Sequence, residues 1–248
     1  MFVRLSVFDP NGLFVWSLVS RCPISRLGST KTKATGSSLR WLKRQFKDPY
    51  VHKRHEEHYR ARSVYKLIEL NDRYQLLRPG MFVIDLGAAP GSWTEFVVKA
   101  VNCRPPVDPE RPVGRAVAVD RANIGPIPGA HVFHDSDFLL PEIRDRILEP
   151  FEGHRLDVVL SDMAPNASGH SATDHMAIVR LSLFALQFAR QNLNPPAGAF
   201  VCKLWDGAER ERFLTEVRRS FASVRTVKPD ASRDESAELF VLAQNFRG

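Results

Sequence analysis

One carboxylate and a run of small residues, Asp85-Leu86-Gly87-Ala88-Ala89-Pro90-Gly91, have the composition of a turn that binds a nucleotide. An apolar stretch before the turn predicts a buried strand, and an apolar pattern of helical period follows it. A strand, a tight glycine turn and a helix together begin a nucleotide-binding βα unit. Glycine has no Cβ, so Gly87 and Gly91 would let a ligand approach the main chain closely.

The spacing of the glycines indicates which nucleotide the turn could bind. A dinucleotide fingerprint requires Gly-x-Gly-x-x-Gly, and Ala89 stands where its second glycine belongs. The pattern Asp-x-Gly-x-x-x-Gly resembles instead the first motif of class I methyltransferases, which bind S-adenosylmethionine (SAM). An ordinary strand-to-helix turn would share the pattern, so the motif alone leaves both interpretations open.

Other charged residues come directly after predicted strands. Asp120, Asp162 and Lys203 each occupy such a position, and ligands in open α/β sheets bind at the carboxyl ends of the strands. An acid after the second strand is placed to accept hydrogen bonds from ribose hydroxyls. Lys66 lies before the sheet and Glu238 at the last strand, where each considered alone would more often be a surface charge.

The order of the elements predicts the fold. Strands alternate with helices, which indicates an α/β class protein with one doubly wound, mostly parallel, Rossmann-like sheet in a single domain. The fifth strand is predicted over residues 199–202, and an amphipathic helix over 177–193 follows a polar segment, 168–174, that would suit a mobile lid. The cysteines are few and scattered and no apolar run reaches about 18 residues, so we expect neither a metal site nor a membrane span.

The net charge of +7 resides in the N-terminal segment. Residues 1–47 carry nine Lys or Arg and one acid, and the remaining chain carries 26 basic and 27 acidic residues. Residues 1–38 are poor in acids and contain Arg and Ser, which is typical of a mitochondrial transit peptide and predicts a location in the mitochondrial matrix. A disordered tail is the alternative, and a secretory signal is disfavoured because the apolar run is short and follows Asp9.

Residues 39–248 are predicted to form the functional domain, with an N-terminal arm at residues 39–62. Cations in the arm alternate with aromatic residues such as Trp41 and Tyr59, a mixture found where proteins bind phosphates and stack bases. We therefore expect the arm to carry most contacts to nucleic-acid phosphates. A solvated helix face is the alternative interpretation.

Several segments together resemble the FtsJ/RrmJ family of rRNA 2′-O-ribose methyltransferases, over roughly residues 40 to 246. These segments are YRARSVYKL (59–67), DLGAAPGSW (85–93), LSDMAPNASG (160–169), FVCK (200–203), KPDASR (228–233) and SAE (236–238). The resemblance implies a SAM-dependent enzyme that acts on large-subunit rRNA or the pre-ribosomal large subunit. With the transit-like leader, it implies the mitochondrial branch of the family, which modifies a uridine.

The resemblance also implies which residues act. It implies a Lys-Asp-Lys-Glu tetrad at Lys66, Asp162, Lys203 and Glu238. The residues expected to contact SAM are Gly87, Ala88, Ala89, Pro90, Gly91, Trp93, Asp120, Asp137 and Asp162. The turn after Asp120, Arg121-Ala122-Asn123, is more polar than the family pattern, and Asp206 adds an acid near Lys203.

The chemistry of such a reaction suits these residue types. Methyl transfer from a sulfonium to a hydroxyl is an in-line displacement, and positioning the reactants can supply roughly 7–11 kcal/mol. Lys203 could accept the hydroxyl proton only as a neutral amine, which burial and Lys66 favour and which Asp162 and Glu238 disfavour. Lys203 is therefore assigned as base or as hydroxyl-orienting group, with Asp162 orienting it and Lys66 and Glu238 steering the ribose.

Two other classes of function compete with this interpretation. Amino-group methyltransferases usually carry Asn/Asp-Pro-Pro-aromatic after the fourth strand, where this chain has Asp162-Met163-Ala164-Pro165. A C5-pyrimidine enzyme needs a cysteine nucleophile, but strand alternation points Cys202 away from the side of Lys203. A ribosome assembly factor that only binds RNA would not need the tetrad.

Overall fold

Seven strands and six helices make up the part of the chain that the structure, a computed structural model, describes: residues 48–166, 168–233 and 235–248. The strands are β1 (Phe82–Leu86), β2 (Arg115–Val119), β3 (Ala130–Phe133), β4 (Val158–Ser161), β5 (Ala199–Trp205), β6 (Phe221–Val227) and β7 (Glu238–Phe246). The helices are α1 (Pro49–Glu56), α2 (Val64–Tyr74), α3 (Ser92–Ala100), α4 (Pro141–Arg146), α5 (Ser171–Asn192) and α6 (Arg210–Ser220), with a short 3₁₀ helix at Glu149–Phe151.

The strands form one sheet in the order β3-β2-β1-β4-β5-β7-β6. The first five strands of this order run parallel, and β7 is antiparallel to both β5 and β6. This confirms the predicted doubly wound, mostly parallel sheet. The order reverses between β1 and β4, and that switch point is where such sheets bind ligands beyond their carboxyl ends.

Both faces of the sheet are buried, as expected for parallel strands covered by helices on each side. On one face Ile84 and Val159 belong to an apolar cluster with Leu186 of α5 and Val217 of α6. On the other face a second cluster joins Val83, Leu160 and Phe240 to Leu67 of α2 and Val97 of α3. Alternation along each strand divides its side chains between these two clusters.

The fifth strand is longer than the apolar pattern indicates. β5 continues to Trp205, so Lys203 lies inside the strand and not after it. The extension exists because Lys203 and Trp205 pair with Phe240 and Glu238 of β7. A lysine interrupts the apolar run in the sequence, and only a neighbouring strand reveals that the ladder continues past it.

The polar segment before α5 also differs from its prediction. α5 begins at Ser171 instead of residue 177. The Asp174 carboxylate in its first turn accepts hydrogen bonds from the Ser168 amide at 2.8 Å and hydroxyl at 2.6 Å. Residues 171–174 therefore belong to a helix, so the predicted start of the helix at residue 177 is wrong, and the mobility of 168–174 stays a prediction.

The described residues all belong to one compact unit. Within the ranges that the structure describes, no helix is both long enough and apolar enough to cross a membrane. The predicted transit peptide, residues 1–38, and the cations Arg40, Lys43, Arg44 and Lys47 of the arm lie outside the described residues.

Candidate active site

Lys203 and Asp162 form one ion pair at the carboxyl edge of the sheet. Lys203 Nζ lies 3.0 Å from Asp162 Oδ1 and donates a hydrogen bond of 2.6 Å to the Asp162 main-chain carbonyl. Asp162 directly follows β4, which neighbours β5. Only 10 % of the Lys203 side chain and 19 % of the Asp162 side chain are exposed. The amine is therefore held on two oxygens of one residue at the mouth of the site.

Lys66 and Glu238 form a second ion pair, with Lys66 Nζ 2.5 Å from Glu238 Oε1. The register of β5 against β7 places Lys203 opposite Phe240, and Glu238 stands two residues before Phe240 on the same face of β7. Lys66 Nζ lies 5.7 Å from the centre of the Phe240 ring. The structure therefore brings all four residues of the predicted tetrad to one face of the sheet.

Contacts between α2 and α3 position Lys66. The indole N–H of Trp93 donates to the Ser63 carbonyl at 2.8 Å, and the hydroxyls of Ser63 and Ser92 lie 2.9 Å apart. The Trp93 ring packs 5.6 Å from the Phe240 ring. Trp93 is thus part of the support beneath the tetrad, and its side chain is 2 % exposed.

Glu238 is ionised by its surroundings. Burial favours the neutral acid, but the charge and hydrogen bond of Lys66, with help from Lys203, hold the pKa of Glu238 below its usual value. Ser232 contributes to this effect, because its hydroxyl donates to Glu238 Oε1 at 2.9 Å. A carboxylate that accepts such bonds is stabilised in its charged form.

Ser232 is a residue of the site to which the sequence assigned no role. It is 5 % exposed. The Glu69 carboxylate of α2 accepts bonds from the amides of Asp230 and Ala231, at 2.8 and 3.4 Å, and so holds the loop that carries Ser232. In the sequence, Ser232 is marked only because it lies in segment 228–233, which resembles the family. That resemblance does not show which group the Ser232 hydroxyl contacts.

An open cleft of about 1490 Å³ lies at the switch point of the sheet, and Asp162 is the tetrad residue that contributes to its described lining. Its wall includes Gly87, Ala89, Asp120, Asp137 and Asp162 among the residues predicted to bind SAM. Among the described residues, the other four that were predicted to contact SAM do not line the cleft: Ala88, Pro90, Gly91 and Trp93.

Asp120 and Asp137 are oriented by short local contacts. The Asp120 carboxylate accepts hydrogen bonds from the amides of Ala89 at 2.9 Å and Ala122 at 2.7 Å. Asp137 lies 3.7 Å from the exposed guanidinium of Arg121 and accepts the Leu139 amide at 3.0 Å. The polar turn at 121–123 thus places a cation beside one of the two acids.

Gly87 and Gly91 are required for a reason other than ligand access. Both have positive φ, at 77° and 108°. A Cβ on Gly87 would lie 2.6 Å from the Met163 side chain, and one on Gly91 would lie 2.7 Å from Ile127. A side chain at either position would therefore meet protein atoms, and contact of these glycines with SAM stays a prediction.

Asp85 lies beneath the glycine turn and is 1 % exposed. Its Oδ2 accepts a hydrogen bond from the Thr94 hydroxyl at 2.7 Å, whereas Oδ1 has no partner among the described residues. Burial, opposed by the bond from Thr94 and reinforced by the charges of Asp162 and Asp120, raises the pKa of Asp85 to about 7. A carboxyl that is partly protonated near neutral pH therefore supports the turn.

The described part of the arm uses its arginines within the protein. Arg54 donates to the Arg60 carbonyl at 2.6 Å, and Arg62 pairs with Asp48 and donates to the Ala231 carbonyl. Tyr50 and Tyr59 pack 5.4 and 6.2 Å from the Tyr65 ring. These side chains hold the segment on the domain.

Cys202 faces away from Lys203, as alternation predicts. It is 1 % exposed in the cluster beneath α5, and burial raises the pKa of its thiol to about 12. A thiol in this state is a poor nucleophile. No group of three or more His, Cys, Asp or Glu side chains that could hold a metal ion occurs among residues 48–166, 168–233 and 235–248.

Comparison with known proteins gives consistent matches over the domain. The family model described as FtsJ-like methyltransferase matches residues 59–246. The chain is 45% identical over 214 residues to ribosomal RNA large subunit methyltransferase E of Xanthobacter autotrophicus, covering 86% of this chain and 81% of that protein. It is 41% identical over 222 residues to mitochondrial rRNA methyltransferase 2 of Caenorhabditis elegans, covering 88% and 99%.

A solved structure also shares the fold. A protein described as a ribosomal RNA methyltransferase from Plasmodium falciparum superposes with a TM-score of 0.66 at 24% identity. The match covers 77% of this chain and all of the other.

Proposed function

Since this chain belongs to the FtsJ-like methyltransferase family, we propose that it transfers a methyl group from SAM to the ribose 2′-hydroxyl of a uridine in large-subunit rRNA. The observation that carries the proposal is the pair of ion pairs, Lys203 with Asp162 and Lys66 with Glu238, beside the cleft at the switch point. Two lysines held by two carboxylates could orient the ribose hydroxyl and help it to lose its proton.

The donor set of the cleft fits SAM. Asp120, at the end of β2, is placed for ribose hydroxyls, and Asp137 and Asp162 add carboxylates on the same wall. When bound, SAM supplies a methyl group on a positively charged sulfur.

Lys203 would accept the proton of the 2′-hydroxyl. A neutral amine has two N–H groups and one lone pair, and two oxygens of Asp162 lie within 3.0 Å of Nζ. The bond to the Asp162 carbonyl uses one N–H group of the amine, and the lone pair would face the substrate. Lys66, held by Glu238, would position the ribose, and this arrangement aligns the hydroxyl for in-line attack.

The substrate class follows from the relatives. The bacterial relative is named for large-subunit ribosomal RNA and the nematode relative for mitochondrial rRNA. With the transit-like composition of residues 1–38, we place the protein in the mitochondrial matrix. Arg40, Lys43, Arg44 and Lys47 of the arm would bind RNA phosphates, because the arginines of residues 48–62 already have partners within the domain.

Incubation of the protein with SAM and a large-subunit rRNA transcript tests this proposal. A ribose 2′-O-methyl group blocks cleavage on its 3′ side by alkali or nuclease, so one uridine should become resistant. An Asp162→Asn variant is the control, and its product should be cleaved throughout. A methylated base with unprotected ribose would favour the base-methyltransferase alternative, and RNA binding without methylation would favour an assembly factor.

Ser232→Ala should lower the rate of methyl transfer by roughly tenfold or more, since a hydrogen bond to a charged group contributes about 1.5–3 kcal/mol. Without the Ser232 hydroxyl, the pKa of Glu238 should rise, so the acid limb of the pH–rate profile should move to higher pH. Single-turnover rates at saturating SAM across a pH series measure both effects.

Ser223→Ala is the matched control for Ser232→Ala. Ser223 lies on β6 and accepts a bond from Arg225, so its variant should keep the wild-type profile. A Ser232→Ala enzyme with an unchanged rate and acid limb would show that Ser232 does not position Glu238.

A further inference from the structure

The guanidinium of Arg60 joins two loops at the edge of the cleft. Its Nη1 donates to the carbonyls of Pro90 at 3.1 Å and Gly125 at 2.9 Å, and its Nη2 donates to the carbonyl of Pro126 at 2.7 Å. Its Nε lies 2.8 Å from Glu95 Oε1. One side chain therefore binds the turn after β1, the loop after β2 and the first turn of α3.

The same two loops meet again on the cleft side. There the Ala89 amide donates to Asp120 Oδ2 at 2.9 Å, and both residues line the cleft. Arg60 is not among the described residues that line the cleft, so it contacts the two loops from outside the cleft. The separation of the two loops is consequently set from two sides, by Asp120 within the cleft and by Arg60 outside it.

Arg60 also occupies the space next to Gly91. A Cβ at Gly91 would lie 3.1 Å from Arg60 Nη1. The N-terminus of α3 begins at this glycine. The guanidinium thus packs beside the glycine that ends the turn after β1, next to the start of α3.

Arginine is suited to this task and lysine is not. The planar guanidinium presents its donors as a rigid fork, so it can reach several fixed carbonyls at once, whereas a lysine ammonium is a flexible point charge. Lysine at position 60 would keep a positive charge for Glu95 but would not reproduce the fork. The substitution Arg60→Lys should therefore remove the hydrogen bonds to the two loops while keeping the ion pair with Glu95.

We propose that Arg60 is a positioning residue for the cofactor, which holds the turn after β1 and the loop after β2 at the separation that binds SAM. The inference rests on the proposed function, in which SAM occupies this cleft. When the contacts of Arg60 with the two loops are weakened, a smaller fraction of molecules has a cleft that can bind SAM. The apparent affinity for SAM falls in proportion to that fraction. Once SAM is bound, the reacting groups are those of the wild type.

Calorimetry with the full-length protein and SAM tests this inference. Arg60→Lys should raise the dissociation constant for SAM about tenfold, which corresponds to about 1.4 kcal/mol. The single-turnover rate on rRNA at saturating SAM should stay within about twofold of wild type. Arg219→Lys is the matched control, because Arg219 of α6 forms an exposed ion pair with Glu216 at 2.6 Å, and it should change neither value.

Glu95→Gln provides a second variant that keeps Arg60 itself. It removes the charge that anchors the guanidinium, and it should raise the dissociation constant for SAM in the same direction but by less. Thermal unfolding of each variant without ligand shows whether the protein is folded at the assay temperature. If Arg60→Lys is not folded there, Glu95→Gln decides the question.

The outcomes separate this inference from the proposed function. SAM affinity within twofold of wild type in both variants would overturn the role of Arg60. A fall in the saturated rate at unchanged affinity would also overturn it. If the wild-type protein itself does not bind SAM, the proposed cofactor is wrong, and that result is distinct from either of these.

Discussion

Lys203→Arg should bind SAM and RNA with nearly wild-type affinity and transfer methyl groups about 10²–10⁴-fold more slowly, the range for lost general-base catalysis. Arginine keeps the positive charge and the ability to donate to Asp162. It stays protonated in proteins, however, and so cannot accept the hydroxyl proton. The measurement is the single-turnover rate at saturating SAM over a pH series.

Lys99→Arg is the control for this substitution, because Lys99 is an exposed residue of α3 with its Nζ 3.3 Å from the Tyr59 hydroxyl. That variant should match wild type. Activity of Lys203→Arg within a few-fold of wild type would remove Lys203 from the role of base and leave it as the group that orients the hydroxyl. A protein that loses SAM binding as well would instead reveal a steric effect of the larger side chain.

Asp85 should make the free energy of unfolding depend on pH between about 4 and 7. Its pKa is raised to about 7 in the folded protein from the usual aspartate value of 3.8, so the folded state retains a proton that the unfolded state has released. The protonated Asp85 carboxyl makes its full contribution to the free energy of unfolding below about pH 4, and this contribution is lost as the pH rises through 7. Between pH 5 and pH 7 the free energy of unfolding should therefore fall by about 2–3 kcal/mol on account of Asp85.

Urea unfolding of wild type and Asp85→Asn at pH 5 and pH 8 measures this contribution. Asparagine cannot ionise, so the stability of wild type relative to the variant should fall by about 2–3 kcal/mol from pH 5 to pH 8. Titrations that the two proteins share cancel in this difference. A difference that is the same at both pH values would show that Asp85 is ionised in the folded protein throughout this range.

Asp145→Asn is the matched control. Asp145 is an exposed residue of α4, and its variant should follow the wild-type dependence on pH.

Short-range patterns in the sequence were sufficient for the order and type of the elements after residue 62, whereas helix α1 within the arm was not predicted. The glycine turn after β1, the apolar strands and the alternation that turns Cys202 away from Lys203 depend on neighbours within a few residues. A parallel sheet buried on both faces also requires continuous apolar strands, which the chain displays. The sheet was therefore predictable in class, though β5 was shortened where Lys203 interrupts its apolar run.

The sequence also singled out Lys66, Asp162, Lys203 and Glu238, through residue types at strand ends and through resemblance to a family. It could not show how they pair. Lys203 contacts Asp162 across 41 positions of the chain, and Lys66 meets Glu238 only because β7 runs antiparallel beside β5.

Only the tertiary structure decided the tasks of Arg60, Ser232 and the two glycines of the turn. Arg60 resembles any other cation of a basic arm until its guanidinium is seen on carbonyls 30 to 66 positions away. The packing of Met163 beside Gly87 and of Ile127 beside Gly91, which excludes a side chain at either position, is likewise visible only in the fold. Charge and size are properties of a residue, but the partner of a hydrogen bond or the occupant of a space is set by how distant segments pack, and local sequence does not encode that packing in readable form.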